Sequence, residues 1–366
     1  MIKNNSKTLS NKQFVSVIIP CKNEEKYIKQ CLKSVLSFEI PSNIEIEVLI
    51  VDGLSEDKTV NIVEKMMGID KRIRLIKNPG KIQAIALNIG IKESKGDWVL
   101  RLDAHSTYPH DYLKLCYETA IKTKADNVGG LFITQPGGDN YQASLVQALT
   151  THKFGVGDAG FRIGMPEGVA DTVPYGFYKK EIFSKIGFLD ERLVRAQDYE
   201  FNRRIIKKGG IVWRNPDIHV HYYNQPTLWK FLKKQIKLEA PYNAYMWYLA
   251  PYTFAYRHGI TAVFASGIIG GILLSPYTTF IKYTFVIVIT LYFFLSLISA
   301  MQQAKRYKKR VHVLTLPISF FLYHFLHGLG VLWGLLRLIT NTAPVQKIKE
   351  PWYGYGNYRI KIIKND

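Results

Sequence analysis

The pattern of apolar and polar residues changes once along this chain, near residue 226. Up to residue 133, short apolar runs alternate with segments in which apolar residues recur at helical spacing. Short apolar runs between turn residues predict buried strands, and these runs cover residues 15–19, 48–51, 73–76, 98–102 and 128–133. Strands that alternate with helices predict βαβ units and a largely parallel sheet. We therefore expect an α/β fold in the first part of the chain.

Three residues with useful chemistry stand at the ends of these strands. Pro20, Asp52 and Asp103 follow the first, second and fourth runs. Ligands of open α/β sheets bind at the carboxyl ends of the strands, so we expect one cleft to collect all three residues. Residues 135–168 are richer in Gly and polar residues, which predicts loops around that cleft. Residues 190–206 predict the entry into a further helix.

Residues 227–239 predict an amphipathic helix. At about 100° per residue, apolar side chains fall on one face and four lysines on the other; the lysines are Lys230, Lys233, Lys234 and Lys237. This pattern is typical of a helix that lies on an anionic lipid leaflet. A surface helix packed on its own domain has the same pattern. The lipid interpretation is preferred because long apolar runs follow.

Three apolar runs without Lys, Arg, Asp or Glu cover residues 259–281, 283–304 and 311–336. Each is long enough for a membrane-spanning helix, which needs about 20 residues. The first two predict a tight hairpin, and the basic residues 305–310 should then be cytosolic by the positive-inside rule. The third run is ambiguous. If it spans, the basic tail 347–364 ends outside, against that rule, whereas His324, His327 and Gly328 suit a re-entrant or interfacial segment.

Charge narrows the partners of the chain. Its 366 residues carry a formal net charge of +20 at pH 7, which is compatible with nucleic acid, anionic lipid or an anionic substrate. The basic residues 305–310 lie between apolar runs, where contact with lipid head groups is the natural interpretation. No aromatic and basic RNA-binding signature is present. We therefore expect contact with anionic membrane lipids and no binding of nucleic acid.

The cysteines and the N-terminal residues predict a reducing compartment. Cys21, Cys31 and Cys116 form no paired motif, so we expect reduced core residues rather than a disulfide or a zinc site. Residues 1–13 are polar and lack an apolar segment. We therefore expect no secretory signal, and a first domain that stays in the cytosol.

Three sites carry candidate chemistry. Asp52 precedes Gly53 at a strand end, where a carboxylate suits a nucleobase imide or a ribose hydroxyl, although Asp-Gly is also a common turn. Asp103 and His105 face the same side of an extended segment. They suit a hard divalent ion that also binds a diphosphate, or else a polar strand end. Asp198, near a helix start, suits a base for a hydroxyl, or else a salt-bridged helix.

The order of these motifs resembles that of the family 2 inverting glycosyltransferases, which have the GT-A nucleotide-sugar fold. The resemblance covers residues 14–223 and rests on residues 17–25, Asp52-Gly53, Asn78-Pro79-Gly80-Lys81, Asp103-Ala104-His105, Gly187-Phe188-Leu189-Asp190-Glu191 and Gln197-Asp198. The details of these motifs resemble the succinoglycan-biosynthesis branch of the bacterial exopolysaccharide transferases.

The resemblance implies a role for each motif. The implied donor-binding residues are Pro20, Lys22, Glu24, Asp52, Lys81 and Asp103. The implied ligands of a divalent metal, Mg²⁺ or Mn²⁺, are Asp103 and His105. Asp198 becomes the catalytic base. His219 and His221 are further candidates for metal or phosphate contacts, although a strand end near the membrane is the preferred interpretation for them.

The implied function is the inverting transfer of one sugar from a nucleotide sugar, of UDP type, to a polyprenyl-diphosphate-linked oligosaccharide for exopolysaccharide or capsule. The implied location is the bacterial inner membrane, with several spans and a cytosolic catalytic domain. The expected regions are a polar tail (1–13), a GT-A domain (14–225), an amphipathic interfacial segment (226–258), a transmembrane region (259–337) and a basic tail (338–366).

Two rival functions stay open from the sequence. Processive polysaccharide synthases resemble this chain, but they carry a Gln-x-x-Arg-Trp motif, whereas residues 225–229 read Gln-Pro-Thr-Leu-Trp. A non-catalytic membrane scaffold that binds nucleotide sugars is the second rival. The presence of both Asp103 and Asp198 disfavours it.

Overall fold

The computed structural model describes residues 12–345. The expectations for most of the polar tail 1–13 and for the basic residues 347–364 therefore lie outside the described residues. The described residues form the predicted α/β domain, followed by a group of long helices.

All five predicted strands are present, together with three more. The strands are β1 (Gln13–Cys21), β2 (Ile44–Asp52), β3 (Ile73–Lys77), β4 (Trp98–Arg101), β5 (Asn127–Gln135), β6 (Gly168–Val169), β7 (Phe177–Lys179) and β8 (Val212–Tyr223).

Helices alternate with the strands of the first half and then take over the chain. Those of the α/β domain are α1 (Ile28–Leu36), α2 (Thr59–Ile69), α3 (Gln83–Glu93), α4 (Tyr112–Thr123), α5 (Tyr141–Thr150), α6 (Lys153–Val156), α7 (Gly160–Ile163), α8 (Glu181–Ile186) and α9 (Gln197–Lys207). The later ones are α10 (Leu228–Lys234), α11 (Ala240–Leu249), α12 (Tyr256–Leu274), α13 (Thr279–Arg306) and α14 (His312–Ile339).

The strands form one mixed sheet in the order β3-β2-β1-β4-β7-β5-β8-β6. The first four are parallel, and the register of β1 and β2 pairs Cys21 with Asp52. The short β7 runs antiparallel between β4 and β5. The largely parallel sheet is therefore confirmed. Its parallel strands deliver the predicted site residues to one edge.

Apolar clusters cover both faces of this sheet. Side chains alternate along a strand, so Val17 and Ile19 of β1 pack with α1 and α4, while Ile18 packs with α3 and α9. A sheet covered on both faces needs nearly continuous apolar strands, which explains the pattern in the sequence. The three cysteines are free and buried, as expected: Cys21, Cys31 and Cys116.

The prediction of loops at residues 135–168 is wrong, because α5, α6 and α7 occupy much of this segment. Asn140 caps α5, and its side chain accepts a hydrogen bond from the backbone N–H of Ala143 at 3.0 Å. Val146 and Leu149 pack against Phe320 of α14 and against α10. The covering surface comes from distant helices, and local composition does not reveal it.

The predicted amphipathic helix is present as α10, extended by a π-helical turn at Gln235–Glu239 into α11. Thr227 caps it by accepting a hydrogen bond from the backbone N–H of Lys230 at 3.2 Å. Phe231 and Leu232 are buried against α5 and α14. This part of the apolar face therefore packs on protein, as the second interpretation of the helix requires. Trp229 stays 68% exposed.

α12, α13 and α14 are each long and apolar enough to cross a membrane. Only residues 275–278 separate α12 from α13, in agreement with the predicted hairpin. The end of α13 lies against the α/β domain, since its last residue, Arg306, donates a hydrogen bond to the carbonyl of Thr151 at 3.1 Å.

α14 is one unbroken helix of 28 residues. At its start, His312 Nε2 lies 3.2 Å from Ser144 Oγ of α5. Near its end, Leu338 packs against a cluster that contains Tyr242 and Tyr245 of α11 together with Leu193 and Tyr199, beside the start of α9. A helix of this length spans about 42 Å, so α14 runs along the α/β domain rather than away from it.

Glycines on α14 explain how closely it packs. A Cβ at Gly328 would lie 2.0 Å from the carbonyl oxygen of Thr261 in α12, and one at Gly334 would lie 2.8 Å from the carbonyl oxygen of Pro241 in α11. These glycines allow backbone-to-backbone contact between helices. In the sequence, Gly328 and the histidines near it suggested a re-entrant or interfacial segment. In the structure they form the packing face of a continuous helix.

Candidate active site

A cleft of about 710 Å³ opens where the strand ends of the sheet meet the late helices. The α/β domain contributes Arg101 and Asp103, at and after the end of β4, and Asp198 from the first turn of α9. The late helices contribute aromatic side chains: Phe264 of α12, Tyr292 of α13 and Tyr323 of α14. One cavity thus joins a carboxylate-rich wall to an aromatic wall.

Asp103 is held firmly by its neighbours. Its Oδ1 lies 2.9 Å from Arg101 Nη2 and accepts a hydrogen bond from Gln83 Nε2 at 2.9 Å. Gln83 Oε1 in turn accepts from Gln197 Nε2 at 2.7 Å. This chain of contacts ties the end of β4, through α3, to the helix that carries Asp198.

Arg101 links the two predicted functional carboxylates electrostatically. Its side chain is buried, and burial disfavours the charge, but Asp103 and Asp198 outweigh this effect and raise the pKa of Arg101 above its usual value. The guanidinium also stacks over the ring of Tyr175 at 4.8 Å. Arg101 therefore stays charged, holds Asp103 by direct contact and acts on Asp198 through its charge alone.

Asp198 stands in the first turn of α9, after Ala196 in a left-handed conformation with φ of 63°. Its Oδ1 accepts a hydrogen bond from the backbone N–H of Tyr199 at 2.8 Å. Asp198 is only partly buried and lines the cleft. The carboxylate is therefore oriented by the helix start and open to a ligand in the cleft.

His105 pairs with Glu24 rather than with Asp103. Its Nδ1 lies 3.1 Å from Glu24 Oε1, and this hydrogen bond raises the pKa of His105, although burial acts in the opposite direction. The contact joins the loop after β4 to the loop after β1. The pair lies beside the cleft, whose lining includes Asp103 but neither Glu24 nor His105.

Asp52 is only 4% exposed, and both of its oxygens accept hydrogen bonds from Ser55. Ser55 Oγ also accepts from the backbone N–H of Asn23, so the loops after β1 and β2 are joined. Pro20 sits at the end of β1, and Lys22 is exposed in the loop that follows. These residues form a group at the strand ends, outside the lining of the cleft.

The remaining candidates lie apart from the cleft lining. Lys81 is exposed and has a positive φ of 61° in the turn after β3. That turn is attached to β2, since Asn78 N donates to the carbonyl of Asp52 at 2.7 Å. His219 and His221 lie within β8, paired with Leu131 and Ile133 of β5.

Asp103 fits a divalent metal that arrives with a diphosphate. Its recorded contacts fall on Oδ1, and nothing within residues 12–345 engages Oδ2. No group of three or more His, Cys, Asp or Glu in that part of the chain forms a metal cluster. Magnesium commonly takes one or two carboxylates and completes its shell with phosphates and water. The donor set therefore fits a shared metal–diphosphate site and does not fit a metal held by protein alone.

Several cleft residues were missed from the sequence. Arg101 was included in the apolar run 98–102. A charged residue inside a buried strand requires a partner, so its presence there was itself a signal. Gln83 gave no signal, and Gln197 was noted only as part of the Gln197-Asp198 motif, without a role of its own. Tyr199 Oη and His258 Nδ1 are buried atoms without a hydrogen-bond partner in the described chain. Both residues line the cleft, where a polar ligand would satisfy them.

Residues 16–187 match the family described as Glycosyl transferase family 2. This match places the domain of residues 16–187 in glycosyltransferase family 2. It is 29% identical over 340 residues to a dolichyl N-acetyl-alpha-D-glucosaminyl phosphate 3-beta-D-2,3-diacetamido-2,3-dideoxy-beta-D-glucuronosyltransferase of Methanococcus voltae, which covers 88% of this chain and 98% of that protein. It is 30% identical over 221 residues to the succinoglycan biosynthesis protein ExoA of Rhizobium meliloti, over 59% of this chain and 66% of that protein.

Solved structures confirm the GT-A fold of this glycosyltransferase. A mannosyltransferase from Pyrobaculum calidifontis, solved with GDP-Man and Mn²⁺, matches 84% of this chain and 86% of its own at 16% identity, with a TM-score of 0.58. The family and the named relatives make this chain a glycosyltransferase that acts in polysaccharide or lipid-linked glycan synthesis. The non-catalytic scaffold is therefore no longer a rival.

Proposed function

We propose that this glycosyltransferase transfers a single sugar, with inversion, from a nucleotide sugar of UDP type to a hydroxyl of a polyprenyl-diphosphate-linked glycan. The observation that carries the proposal is the cleft itself. Asp103 and Asp198 lie in the same cavity as aromatic residues of α12, α13 and α14. The carboxylate-rich wall suits a water-soluble donor, and the aromatic wall suits a lipid-linked acceptor.

Asp198 is the proposed base. Its carboxylate lines the cleft and is oriented by the backbone N–H of Tyr199. In the reaction it accepts the proton of the acceptor hydroxyl, whose oxygen forms a bond to the anomeric carbon while the bond to the nucleoside diphosphate breaks. A single displacement inverts the anomeric configuration, so the enzyme needs no nucleophile of its own.

The donor is proposed to lie along the carboxyl ends of β1, β2 and β4. The loops that carry Pro20, Lys22, Glu24 and Asp52 are joined by hydrogen bonds through Ser55 and Asn23, and this rigidity suits a nucleoside site. Lys81 is the proposed contact of the sugar-phosphate side. Asp103, with His105 nearby, would hold Mg²⁺ or Mn²⁺, which neutralises the charge of the leaving diphosphate.

The acceptor is proposed to be lipid-linked. The archaeal relative is named for transfer to a dolichyl-linked N-acetylglucosaminyl phosphate. In this chain the aromatic wall of the cleft consists of residues from helices that are apolar enough for a membrane. An acceptor whose sugar enters the cleft while its lipid stays between these helices accounts for both observations.

For the membrane arrangement, we infer that α12 and α13 cross the membrane as a hairpin while α14 lies at its surface. The start of α14 contacts the α/β domain through His312, and its end packs through Leu338 against a cluster that α11 shares with Leu193 and Tyr199. A helix that crossed the hydrocarbon core, about 30 Å thick, would carry one of these contacts to the far side. The interfacial arrangement also leaves the residues after α14 on the cytosolic side, as the positive-inside rule requires.

The processive synthase is the weaker candidate. The described chain has three helices that satisfy the length and hydropathy of a span, and α14 packs lengthwise on the catalytic domain. A hairpin and one surface helix form no evident channel for a growing polymer. Transfer of one sugar per acceptor therefore agrees better with this architecture.

The deciding experiment uses the purified full chain with a panel of nucleotide sugars, membrane lipid extract as the acceptor source, and a divalent ion. We expect release of nucleoside diphosphate from one donor, matched by a lipid product enlarged by one sugar. A product ladder of increasing length would support the processive synthase instead, and absence of any sugar-modified lipid would contradict the proposed acceptor.

Topology is tested separately, with a reporter fused after residue 366 and another inserted between α12 and α13, where residues 275–278 connect them. We expect the first reporter on the cytosolic side and the second on the opposite side. Opposite placement of the C-terminal reporter would show that α14 crosses the membrane.

A further inference from the structure

The cleft contains an arginine whose charge is not balanced. Six Lys and Arg side chains line this cavity, and four of them pair with carboxylates. The pairs are Arg101–Asp103 at 2.9 Å, Arg195–Glu239 at 3.8 Å, Lys234–Glu239 at 3.4 Å and Arg257–Asp158 at 2.9 Å. Arg162 and Lys153 have no carboxylate within 4.0 Å among residues 12–345.

Arg162 differs from Lys153 in how firmly it is held. Its guanidinium lies over the rings of Phe132, Phe161 and Tyr222, with distances to the centroids of 5.2, 5.3 and 5.3 Å. The ring of Phe132 itself stacks on Tyr222 at 4.7 Å. Stacking on rings engages the flat face of a guanidinium and leaves its N–H groups free. Lys153 is exposed and has no such support.

The position of Arg162 is between the sheet and the membrane helices. It belongs to the short α7, and the rings beneath it come from α7, β5 and β8. Its charge acts on the hydroxyl of Tyr323 in α14, the helix that we place at the membrane surface. A preorganised guanidinium with free N–H groups, in a cleft whose lining includes residues of the apolar helices α12, α13 and α14, matches the geometry of a phosphate.

We propose that Arg162 binds the phosphate group of the lipid-linked acceptor. The inference rests on the proposed function, and it names the residue that recognises the phosphate next to the acceptor sugar. The donor diphosphate is the other possible source of phosphate. Asp103, which fits a metal, follows β4 and is held by Gln83 of α3, whereas Arg162 of α7 rests on rings from β5 and β8 and acts on Tyr323 of α14, so we assign it to the acceptor.

The test compares two synthetic acceptors with the same sugar and the same short prenyl chain. One has a phosphate between sugar and chain, and the other is the direct glycoside without phosphate. The purified full chain is assayed as wild type, Arg162→Gln, Arg162→Lys and Lys153→Gln. Donor affinity is measured for each variant by titration with the nucleotide sugar, which also confirms that the variant is folded.

Wild type should prefer the phosphate-containing acceptor, and Arg162→Gln should raise the KM for that acceptor about 10- to 100-fold, the range for a lost charge-assisted hydrogen bond. The KM for the direct glycoside and the donor affinity should change less than about twofold. Arg162→Lys should recover part of the preference, because lysine keeps the positive charge but lacks the paired N–H groups with which a guanidinium binds two phosphate oxygens at once. Lys153→Gln removes the same charge from the same cleft and should leave the preference intact.

Three results would overturn the inference. They are an equal rise of KM for both acceptors, a matching loss of donor affinity in Arg162→Gln, and loss of the preference in Lys153→Gln. A wild type that uses both acceptors equally well would also overturn it, while leaving sugar transfer to lipid-like acceptors in place. A wild type that transfers sugar to neither acceptor nor to membrane lipid would instead contradict the proposed function.

Discussion

Apolar residues are buried in the α/β domain but exposed on the α12–α13 hairpin. In the sheet, Val17 and Ile18 are fully buried on opposite faces. In the hairpin, Phe280 is 80% exposed and Ile287 is 65% exposed. Isolated exposed apolar residues are ordinary, but a continuous surface of them marks a contact with another apolar phase. The α/β domain is therefore suited to an aqueous environment, and the hairpin is suited to contact with lipid.

Two parts of the cleft lining also differ, in whether their charges are balanced within the protein. On the β4 wall, Asp103 is fixed by Arg101 and Gln83, and both charges are balanced within the protein. Elsewhere in the cleft lining, Arg162 rests on aromatic rings and has no carboxylate within 4.0 Å in the described chain. Fixed polar contacts suit a reacting group that must be placed exactly where the chemistry occurs, whereas an unbalanced charge beside aromatic rings suits a ligand that brings its own anion.

The largest effect should come from a change at Asp198, the proposed catalytic base. Asp198→Asn keeps the size of the side chain but removes the proton acceptor, so transfer should fall about 10²–10⁴-fold. Donor affinity should survive, because Asp198 lies outside the group formed by the loops after β1 and β2. Turnover and donor binding are measured on one preparation. Turnover near the wild-type level would exclude Asp198 as the base.

Asp103 should come next, since it serves the donor and not the acceptor. Asp103→Asn removes the charge but preserves an oxygen for Gln83, which makes it milder to the fold than alanine. We expect kcat/KM to fall on the order of 10²-fold, because charge stabilisation of the leaving group is lost. Nucleotide-sugar affinity should fall as well.

Removal of divalent ions by excess chelator should bring the wild type to a similar level. Full wild-type activity under chelation would show that the reaction proceeds without a divalent ion. It would also confine Asp103 to its ion pair with Arg101.

The helical half is tested by two matched changes from glycine to alanine. Alanine favours a helix by about 1 kcal/mol over glycine, so both Gly328→Ala and Gly267→Ala gain this term. A Cβ at Gly328 meets the carbonyl oxygen of Thr261 at 2.0 Å, whereas a Cβ at Gly267 has nothing within 4 Å. Gly328→Ala should therefore lower stability by about 1–3 kcal/mol.

Thermal unfolding of the two variants in the same detergent measures this difference. Gly267→Ala should unfold at or above the temperature of the wild type. Equal stability of both variants would mean that α12 and α14 do not pack as closely as the structure has them.

The smallest effect should come from the exposed lysines of α10. Lys234 pairs with Glu239 and lines the cleft, which leaves Lys230, Lys233 and Lys237 exposed. Each lysine near an anionic surface contributes about 1 kcal/mol. Changing these three to Gln should raise the KM for a lipid acceptor several-fold and leave activity on a soluble acceptor analogue unchanged.

The control for this prediction replaces three exposed lysines that precede the amino ends of β3, β4 and β5, at the edge of the sheet opposite the site: Lys71, Lys95 and Lys124. It makes the same change of charge and should alter neither acceptor. A parallel loss on both acceptors in the α10 variant would show that the helix supports the catalytic domain and does not dock on lipid.

The sequence by itself determined the α/β half, because its signals are local. Apolar runs of about five residues between helical repeats predict strands, and parallel strands bring their carboxyl ends together whatever the rest of the chain does. This is why Asp103 could be placed at a strand end from its position after the fourth run. Apolar runs without charge likewise predicted the long helices α12–α14.

Only the tertiary structure decided how the two halves meet. α5 looked like a loop because its apolar face is covered by α10 and α14, which lie far along the chain. The sequence left open whether α14 spans the membrane or is re-entrant or interfacial, and the structure shows it as one helix whose start contacts α5 through His312. Arg162 gave no signal at all. The role of a charged side chain depends on its surroundings, and the rings around Arg162 come from three separate elements of the fold.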